Sequence, residues 1–304
     1  MSAFSRLVMA TTQAGPVRKL ITDTRPGKAL AHRFVAGDDV GAAIEIARSL
    51  GESKIAVSLD LLGEDVSKEE EIEQAVQGYV ECLQAIEASG VEGNISVKLT
   101  QLGLEVDPGL AANTLDLLAI DAAALGLTVT IDMESSEHTD ATVSIYEAAQ
   151  GRHGNLGICL QAYLHRTPED LRRLMPLGGL IRLCKGAYVE PAEVALQGRE
   201  EVDRAFARLL DELMHSEECH PAIATHDPAL IAQAKSLAGA RQASFEFQML
   251  FGVRPEEQRA LAGEGYAVRV YVPYGSNWYA YLTRRLAERP ANLGLFARAL
   301  VGKR

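Results

Sequence analysis

The chain has 304 residues, 47% of them hydrophobic, and a formal net charge of -11 at pH 7. This length can bury the core of one barrel-sized domain, and the negative charge argues against nucleic acid as the main partner. No stretch approaches the roughly 20 apolar residues that span a bilayer, and the first ten residues lack the apolar run of a secretory signal. We therefore expect a cytoplasmic protein.

The first 36 residues differ in charge from the rest of the chain. They hold six Lys or Arg against the single acid Asp23, so this segment carries +5 and the remainder -16. We interpret residues 1–36 as a short helical N-terminal arm that packs over an acidic body. Contact of the arm with an anionic surface such as a membrane is the alternative.

From residue 39 onward, a short apolar segment followed by a longer amphipathic one recurs every 25 to 45 residues or so. The predicted strands are 55–60, 95–99, 128–132, 157–161, 180–184, 222–225, 244–248 and 268–272. Eight strand and helix repeats without a Ser-, Gly- or Pro-rich linker predict one α/β domain over residues 37–304, a closed parallel (β/α)8 barrel of the TIM type. An open doubly wound sheet is the alternative, but no G-x-G-x-x-G follows the first strand.

Capping residues indicate where several helices begin and end. Ser67 and Glu70 have the spacing of a capping box before a helix that runs to Ser89. Predicted N-caps followed by proline are Asp107, Thr167 and Asp227. Predicted C-terminal stops are Gly126, Gly151 and Gly239.

The stretch 276–292 predicts a final helix, with Ser276 as its N-cap. Its apolar stripe is formed by Trp278, Leu282 and Leu286, and a neighbouring face carries Tyr281, Arg284, Arg285 and Glu288. Two adjacent guanidinium groups suit a small carboxylate, because each can donate two parallel hydrogen bonds to it. The alternative is a solvated face on which Glu288 pairs with one of the arginines.

Polar and ionisable side chains concentrate where the predicted strands end. A parallel barrel builds its active site from the carboxyl ends of its strands. The side chains at these positions are Lys98, Asp132, Glu134, Gln161, Arg182, Lys185, Thr225, His226, Glu246, Gln248, Arg269 and Tyr271. Each has a simpler interpretation by itself, such as solvent exposure for Lys98 or a structural role for His226. Their coincidence at successive strand ends predicts an active site.

Two alternatives for metal or disulfide chemistry are less well supported. Asp132 and Glu134 share a strand face and could bind a metal with His226 and Asp227, but we predict no metal site. The four cysteines have no C-x-x-C spacing and favour buried thiols in a reducing compartment.

Taken in order, these segments resemble the proline dehydrogenase family. The motifs are LDLLGE ending at Glu64, SVKL with Lys98, IDME with Asp132, QAY from Gln161, RLCKGAY over 182–188, ATH over 224–226, EFQMLFG over 246–252 and YLTRRLAE over 281–288. The resemblance covers residues 33–292. One departure is Phe251, where relatives often carry His.

The resemblance implies a role for each matching residue. The final helix would lie over the barrel mouth and place Arg284 and Arg285, with Lys98, on the substrate carboxylate. The resemblance also implies that the substrate ring packs against Tyr271, Tyr281 and Leu250. Glu288 would hold one of the two arginines in place. Asp132 and Arg182 would be catalytic, Asp132 by positioning Lys98 or the ring and Arg182 by its place near the flavin N5.

The resemblance also implies non-covalently bound FAD across the strand ends. Met133 and Gln161 would contact the ring system, and Arg182 would lie close to it. The ring edge and phosphates would contact Lys185, Gly186, Ala187, Thr225 and His226.

The reaction that the family implies is oxidation of L-proline to 1-pyrroline-5-carboxylate, the first step of proline catabolism, with hydride passing from a ring carbon to FAD. Electrons would continue to a membrane quinone, through contact that is at most peripheral at the inner membrane. A separate pyrroline-5-carboxylate dehydrogenase would use the product. The enzyme alternative is a flavin-free barrel lyase or aldolase with a Schiff base on Lys98 or Lys185. A non-catalytic barrel that only binds an amino acid is the alternative outside enzymes.

Overall fold

The computed structural model of the chain describes Thr24 and residues 31–63, 66 and 68–288, with residues 284–288 described by their backbone alone. Eight parallel strands close into a barrel in chain order, and β8 pairs with β1. The strands are β1 Ala56–Leu61, β2 Gly93–Val97, β3 Val129–Ile131, β4 Leu156–Gln161, β5 Leu180–Cys184, β6 His220–Ala224, β7 Glu246–Leu250 and β8 Ala267–Tyr274. The predicted (β/α)8 barrel is confirmed.

Helices connect successive strands on the outside of the barrel. They are α1 Val40–Gly51, α2 Glu69–Ser89, α3 Pro108–Ala124, α4 Thr139–His153, α5 Thr167–Leu174, α6 Arg199–His215, α7 Pro228–Ala238, α8 Pro255–Gly263 and α9 Trp278–Glu288. Short 3-10 turns at Ser136–His138 and Met175–Leu177 precede α4 and follow α5. Among the described residues, no helix is long and apolar enough to cross a membrane.

Several predicted helix boundaries are confirmed. Asp107 and Asp227 cap α3 and α7, because their side chains accept hydrogen bonds from Gly109 N and Ala229 N. Helix α2 ends at Ser89 as predicted, but its N-cap is Lys68, without a side-chain cap, so the predicted capping box of Ser67 and Glu70 is wrong. The predicted capping residue Ser67 and the helical arm before residue 31 lie outside the described residues, apart from Thr24.

Two other predicted helix boundaries are wrong. Helix α4 continues through Gly151 and stops three residues later, at Gly154 with φ +72°. Thr167 is the first residue of α5 rather than its N-cap, and its hydroxyl donates to the Gln161 carbonyl at 2.5 Å. That bond ties the start of α5 to the end of β4.

The barrel interior is polar, whereas the outer strand faces are apolar. Residues such as Val57, Leu59 and Val97 pack with the surrounding helices in one continuous core. The alternate positions face inward, and hydrogen bonds there cross the barrel: Arg182 on β5 donates to Ser96 on β2 at 2.9 Å and to Gln248 on β7 at 2.5 Å. Buried polar groups of this kind are stable only when they are paired.

A second ion pair of the interior joins Glu246 and Arg269. The prediction that these two residues lie at strand ends is wrong: β7 begins at Glu246, two residues later than predicted, so Glu246 lies at the opposite end of the strand from the site. Arg269 Nε donates to Glu246 Oε1 at 2.8 Å, and Gln248 Nε2 donates to the same oxygen at 2.6 Å. Burial disfavours the Glu246 carboxylate, but His220, whose Nε2 lies 3.8 Å from Oε2, and the charge and hydrogen bond of Arg269 outweigh burial and lower the pKa to about 2.

The described end of the arm packs against the last helix. Phe34, Val35, Leu62, Trp278 and Leu282 belong to one buried apolar cluster, which also contains Ala31 and Tyr281. The backbone after this turn adds to β8, because Ala36 N donates to Pro273 O at 2.9 Å and Gly275 N donates to Gly37 O at 2.8 Å. Residues 31–37 therefore hold α9 at the carboxyl end of the barrel.

Glu246→Gln should make the stability of the protein less dependent on pH in acid. The native pKa of Glu246 lies below its unfolded value, so the unfolded chain binds more protons between about pH 2 and 4.5 and the stabilisation is lost as pH falls. The shift corresponds to a contribution on the order of 3 kcal/mol at neutral pH. Denaturant unfolding at several pH values between about 2.5 and 6 would measure how the free energy of unfolding changes with pH. Glu256→Gln on the exposed start of α8 is the control, and equal slopes for the two variants would contradict the prediction.

Gly252→Ala should destabilise the protein more than Gly265→Ala. Both glycines have left-handed φ, +74° and +92°, so both substitutions carry the ~1–2 kcal/mol cost of that conformation. A Cβ at Gly252 would also lie 1.8 Å from the Arg33 carbonyl oxygen, while one at Gly265 has no neighbour within 4 Å. Thermal unfolding of the two variants measures the difference in stability. Equal losses of stability would contradict the prediction, because they would show that the backbone of Arg33 moves aside at no cost in free energy.

Candidate active site

A cavity of about 670 Å³ opens at the carboxyl ends of the strands, a volume typical of ligand sites. Most of the predicted site residues line it. They are Lys98, Asp132, Met133, Arg182, Lys185, Gly186, Ala187, Thr225, His226, Leu250, Tyr271 and Tyr281. The structure therefore brings residues from six strand ends and from α9 to one place.

Of the other four predicted residues, Gln161 is described and does not line the cavity. Gln161 is buried, and its side chain braces neighbouring loops: Nε2 donates to Glu134 O at 2.9 Å, and Oε1 accepts from Ala187 N at 3.2 Å. The side chains of Arg284, Arg285 and Glu288 lie outside the described residues. Their helix is in place, since Tyr281 on α9 lines the cavity and is 6% exposed.

The cavity floor is a network of two cations and two carboxylates. Lys98 Nζ donates to Asp60 Oδ1 at 2.6 Å and lies 3.5 Å from Asp132 Oδ2. Arg182 donates from Nη1 to Asp132 Oδ1. Tyr271 donates its hydroxyl to Asp132 Oδ2 at 2.6 Å. Asp132 thus connects both cations and the tyrosine, and the formal charges of the four ionic groups cancel.

Burial and the neighbouring charges decide the protonation states of Lys98 and Tyr271. Burial disfavours the ammonium of Lys98, but the carboxylates of Asp60 and Asp132 outweigh burial and hold its pKa well above the usual value. Burial, together with the negative charges of Asp132 and Asp60, also raises the pKa of Tyr271 well above its usual value. At neutral pH Lys98 is therefore charged, and Tyr271 is a hydrogen-bond donor.

Arg182 is held on three sides beneath the cavity. Besides Asp132, its guanidinium donates to Gln248 and Ser96, and its centre lies 5.2 Å from the centroid of the Tyr271 ring. Such a fixed guanidinium fork places a positive charge with little freedom to move. The Arg182 charge is thus preorganised before any ligand binds.

The loop after β5 shapes one side of the cavity. Lys185 Nζ pairs with Asp203 and lies 2.9 Å from Asp227 Oδ2. Gly186 has φ +120°, and a Cβ there would lie 2.2 Å from the Tyr163 ring. Only glycine fits this turn without displacing the ring, and the turn aims the backbone of 186–187 along the cavity wall.

His226 joins the ends of β6 and β7. Its Nε2 accepts a hydrogen bond from Leu250 N at 3.0 Å, so the proton of the neutral ring lies on Nδ1. Its carbonyl accepts from Arg254 Nη1 at 2.6 Å. These bonds fix Leu250 and Arg254, which both line the cavity.

The residues considered for a metal site are engaged elsewhere. Both carboxylate oxygens of Glu134 accept from Thr100, at 3.1 Å from its backbone N and 2.6 Å from its hydroxyl. Across the described part of the chain, no group of three or more His, Cys, Asp or Glu is arranged to hold a metal ion.

Sequence analysis gave no site role to several residues that line the cavity. Asp60, the partner of Lys98, lies one residue before the end of β1. It belongs to a motif that was recognised, and its position near a strand end could have predicted that it lines the cavity. Arg254 on the β7–α8 loop and the neighbouring thiols of Cys159 and Cys184 carry no such local signal. Their contribution depends on how the strands align around the barrel.

The whole cavity is more positive than the protein that contains it. It is lined by five cations, Lys98, Arg182, Lys185, Arg199 and Arg254, and by three carboxylates, Asp60, Asp132 and Asp227. The formal balance is +2 in a chain of net charge -11. Apolar residues such as Met133, Met249 and Ala224 complete the wall. The cavity therefore suits a ligand with an apolar body and anionic groups.

Comparison with known proteins gives consistent matches. The family model for proline dehydrogenase matches residues 43–298. Proline dehydrogenase 1 of Bacillus subtilis (strain 168) is 40% identical over 276 residues, which cover 90% of this chain and 91% of that protein. Proline dehydrogenase of Deinococcus radiodurans is 35% identical over 280 residues, covering 90% of each chain.

A solved structure shares the fold at lower identity. Proline utilization A from Bdellovibrio bacteriovorus, inactivated by N-propargylglycine, superposes with a TM-score of 0.82 and 21% identity, covering 94% of this chain and 36% of that one. The fold agrees with this structure, and the sequence matches extend over nearly the full chain. By these sequence matches the chain belongs to the proline dehydrogenase family.

Proposed function

We propose that this protein oxidises L-proline to 1-pyrroline-5-carboxylate with a bound flavin. The family match over residues 43–298 carries the proposal, and the cavity at the barrel mouth supplies a site of suitable size and charge. The family as a whole depends on flavin.

The residues of the cavity fit FAD. A flavin offers a planar, largely apolar ring system and a diphosphate that carries negative charge, and the wall offers both apolar residues and an excess of cations. Met133 and Ala187 would hold the ring system, and Leu250 would press on the substrate ring. Lys185 and His226 would lie toward the phosphates, with Gly186 and Thr225 contributing to the loop wall. Gln161 would act from behind by holding the backbone of Ala187.

FAD, once bound, would supply the two-electron acceptor for the hydride that leaves the proline ring carbon next to nitrogen. Arg182 would place a preorganised positive charge beside that acceptor, because Asp132, Gln248 and Ser96 already fix its guanidinium. Asp132 would position both Lys98 and Arg182. Each of these roles is part of the proposal.

The substrate carboxylate would need cations beyond the cavity floor. There, Lys98 and Arg182 are balanced by Asp60 and Asp132, so the floor alone offers no net attraction for an anion. The adjacent arginines of α9, Arg284 and Arg285, would supply it, with Glu288 holding one of them. Tyr271 and Tyr281 would then wall the ring, and anchoring the carboxylate would fix which ring carbon faces the acceptor.

The protonation states of the cavity floor decide in which form the substrate amine would bind. Tyr271 keeps its proton at neutral pH because burial and Asp132 raise its pKa, and Lys98 stays charged. Neither is a base. Proline would therefore bind with a neutral amine, whose lone pair forms the imine as hydride leaves.

The ion pairs count against a Schiff-base lysine. A lysine that attacks a carbonyl must lose its proton, which needs a lowered pKa, whereas two carboxylates raise the pKa of Lys98. Lys185 is paired with Asp203 and Asp227. A flavin-free aldolase or lyase is therefore the less favoured enzyme.

We further propose a membrane quinone as the electron acceptor, reached by a cytoplasmic enzyme through peripheral contact. The product keeps an oxidisable carbon, so a separate pyrroline-5-carboxylate dehydrogenase would consume it. These proposals rest on the family alone.

Anaerobic L-proline should bleach the visible flavin bands of the purified protein. Bound FAD would accept the two electrons, so an absorption spectrum before and after proline tests cofactor, substrate and reaction class together. A soluble quinone should then restore the bands. A protein that stays colourless when FAD is supplied, or coloured but unbleached by proline, would refute the proposed function.

Arg285→Met should weaken proline binding about 100-fold or more, because one of the two forks on the carboxylate is lost. Glu288→Gln is the matched control on the same helix and should have a much smaller effect, since it leaves both forks in place. Steady-state kinetics of the two variants measure the change in KM for proline. An unchanged KM for Arg285→Met would show that α9 does not bind the carboxylate.

A further inference from the structure

Two cysteines from neighbouring strands meet inside the cavity. Cys159 on β4 and Cys184 on β5 have their Sγ atoms 3.6 Å apart. The strand register pairs Cys159 with Arg182 and Gln161 with Cys184, so the two cysteines are diagonal neighbours on the inward face. Both side chains line the cavity.

The other two cysteines provide an internal comparison. Cys82 on α2 is fully buried, and burial raises its pKa to about 12. Cys219 precedes β6, and burial raises its pKa to about 11. Neither lines the cavity. Only the Cys159 and Cys184 pair combines a second thiol with an opening to ligands.

We infer that Cys159 and Cys184 form an oxidisable dithiol, a modification site at which a hydroperoxide closes a disulfide across β4 and β5. The sulfur atoms are already within van der Waals contact. Bringing them to the ~2.0 Å of a disulfide requires a movement of about 1.6 Å, which side-chain rotation and a small strand shift can share.

The surroundings select which sulfur reacts first. The hydrogen bond from Cys184, together with the Arg182 cation, lowers the pKa of Cys159 despite its burial. The same hydrogen bond and burial raise the pKa of Cys184. Because the thiolate is the nucleophile, Cys159 attacks and Cys184 resolves.

The reaction balances with hydrogen peroxide as the only oxidant. The Cys159 thiolate attacks one peroxide oxygen, the O–O bond breaks, and hydroxide leaves and is protonated, giving a sulfenic acid and one water. The Cys184 sulfur, as it loses its proton, attacks the Cys159 sulfur and displaces the second water as the S–S bond forms. Two thiols lose two electrons, and peroxide is reduced to two waters.

A bridge at this position would lie on the cavity wall beside Arg182. Cys159 is the strand neighbour of Arg182, and Cys184 is two residues after it. A disulfide that has to draw the two strands together is also readily reduced. The modification is therefore expected to be reversible by a mild thiol reductant, and it does not depend on the proposed function.

The test treats the purified protein as isolated with graded hydrogen peroxide and counts free thiols after denaturation in a blocking reagent. The count should fall from four to two, with a mass loss of about 2 Da that dithiothreitol reverses. Peptide mapping should place the bridge between 159 and 184. A bridge that involves Cys82 or Cys219, or no thiol loss at peroxide levels that oxidise free glutathione, would overturn the inference.

Two variants separate the pair from the other thiols. In Cys184→Ser no disulfide should form, and dimedone should trap the sulfenic acid at Cys159, because the serine hydroxyl still offers a hydrogen bond but cannot resolve the sulfenic acid. Cys219→Ser is the matched control and should still lose two thiols, from three to one. Equal dimedone labelling at Cys82 would refute the assignment of Cys159 as the reactive thiol. Mapping of the unsubstituted protein decides the matter if a variant fails to fold.

Discussion

The ion pairs among Lys98, Arg182, Asp60 and Asp132 are the interaction on which the barrel and its site both depend. An unpaired charge inside a protein costs several kcal/mol, and breaking a buried pair costs about 3–5 kcal/mol. These four groups come from the ends of β1, β2, β3 and β5. They can pair only if those strands close in the observed register, so the polar interior specifies the same barrel that its apolar outer core stabilises.

The same network shapes the chemistry available at the barrel mouth. Its carboxylates keep Lys98 charged, and burial together with the charges of Asp132 and Asp60 keeps Tyr271 protonated as a donor. Covalent chemistry on Lys98 is disfavoured for that reason, whereas fixed charge and hydrogen bonding are available without rearrangement. A site of this kind suits an enzyme whose bound cofactor carries out the redox step and whose side chains orient the substrate.

The sequence predicted the barrel and most of the cavity wall because both follow from local rules. Eight apolar segments at regular spacing indicate strands, and residues that follow them, such as Asp132 and His226, must meet at one end. Partners across the barrel follow no local rule. That Arg182 reaches Ser96 and Gln248 depends on strand register, which no stretch of sequence reveals by itself.

Smaller errors have equally specific causes. Gly151 and Gly154 are equally good stops by composition, and a Cβ would meet nothing within 4 Å at either, but only Gly154 adopts the left-handed conformation that ends the helix. Glu246 was placed two residues too near the site, because Phe245 extends the apolar pattern toward Ser244, whereas neither residue belongs to the strand. The pair of Cys159 and Cys184 follows from register in the same way as the partners of Arg182.

Charge balance also explains why α9 matters to a site that strands otherwise build. The four charges of the floor cancel, so a ligand carboxylate gains no net attraction from them, and under the proposed function the arginines of α9 would supply that attraction. Helix α9 is held through Trp278 and Leu282 against Phe34 and Leu62, and it also carries Tyr281 into the cavity wall. Under the proposed function, the contacts of residues 31–37 with α9 and β8 are therefore part of substrate recognition. A loss of packing there would act on proline affinity while leaving the buried ion pairs intact.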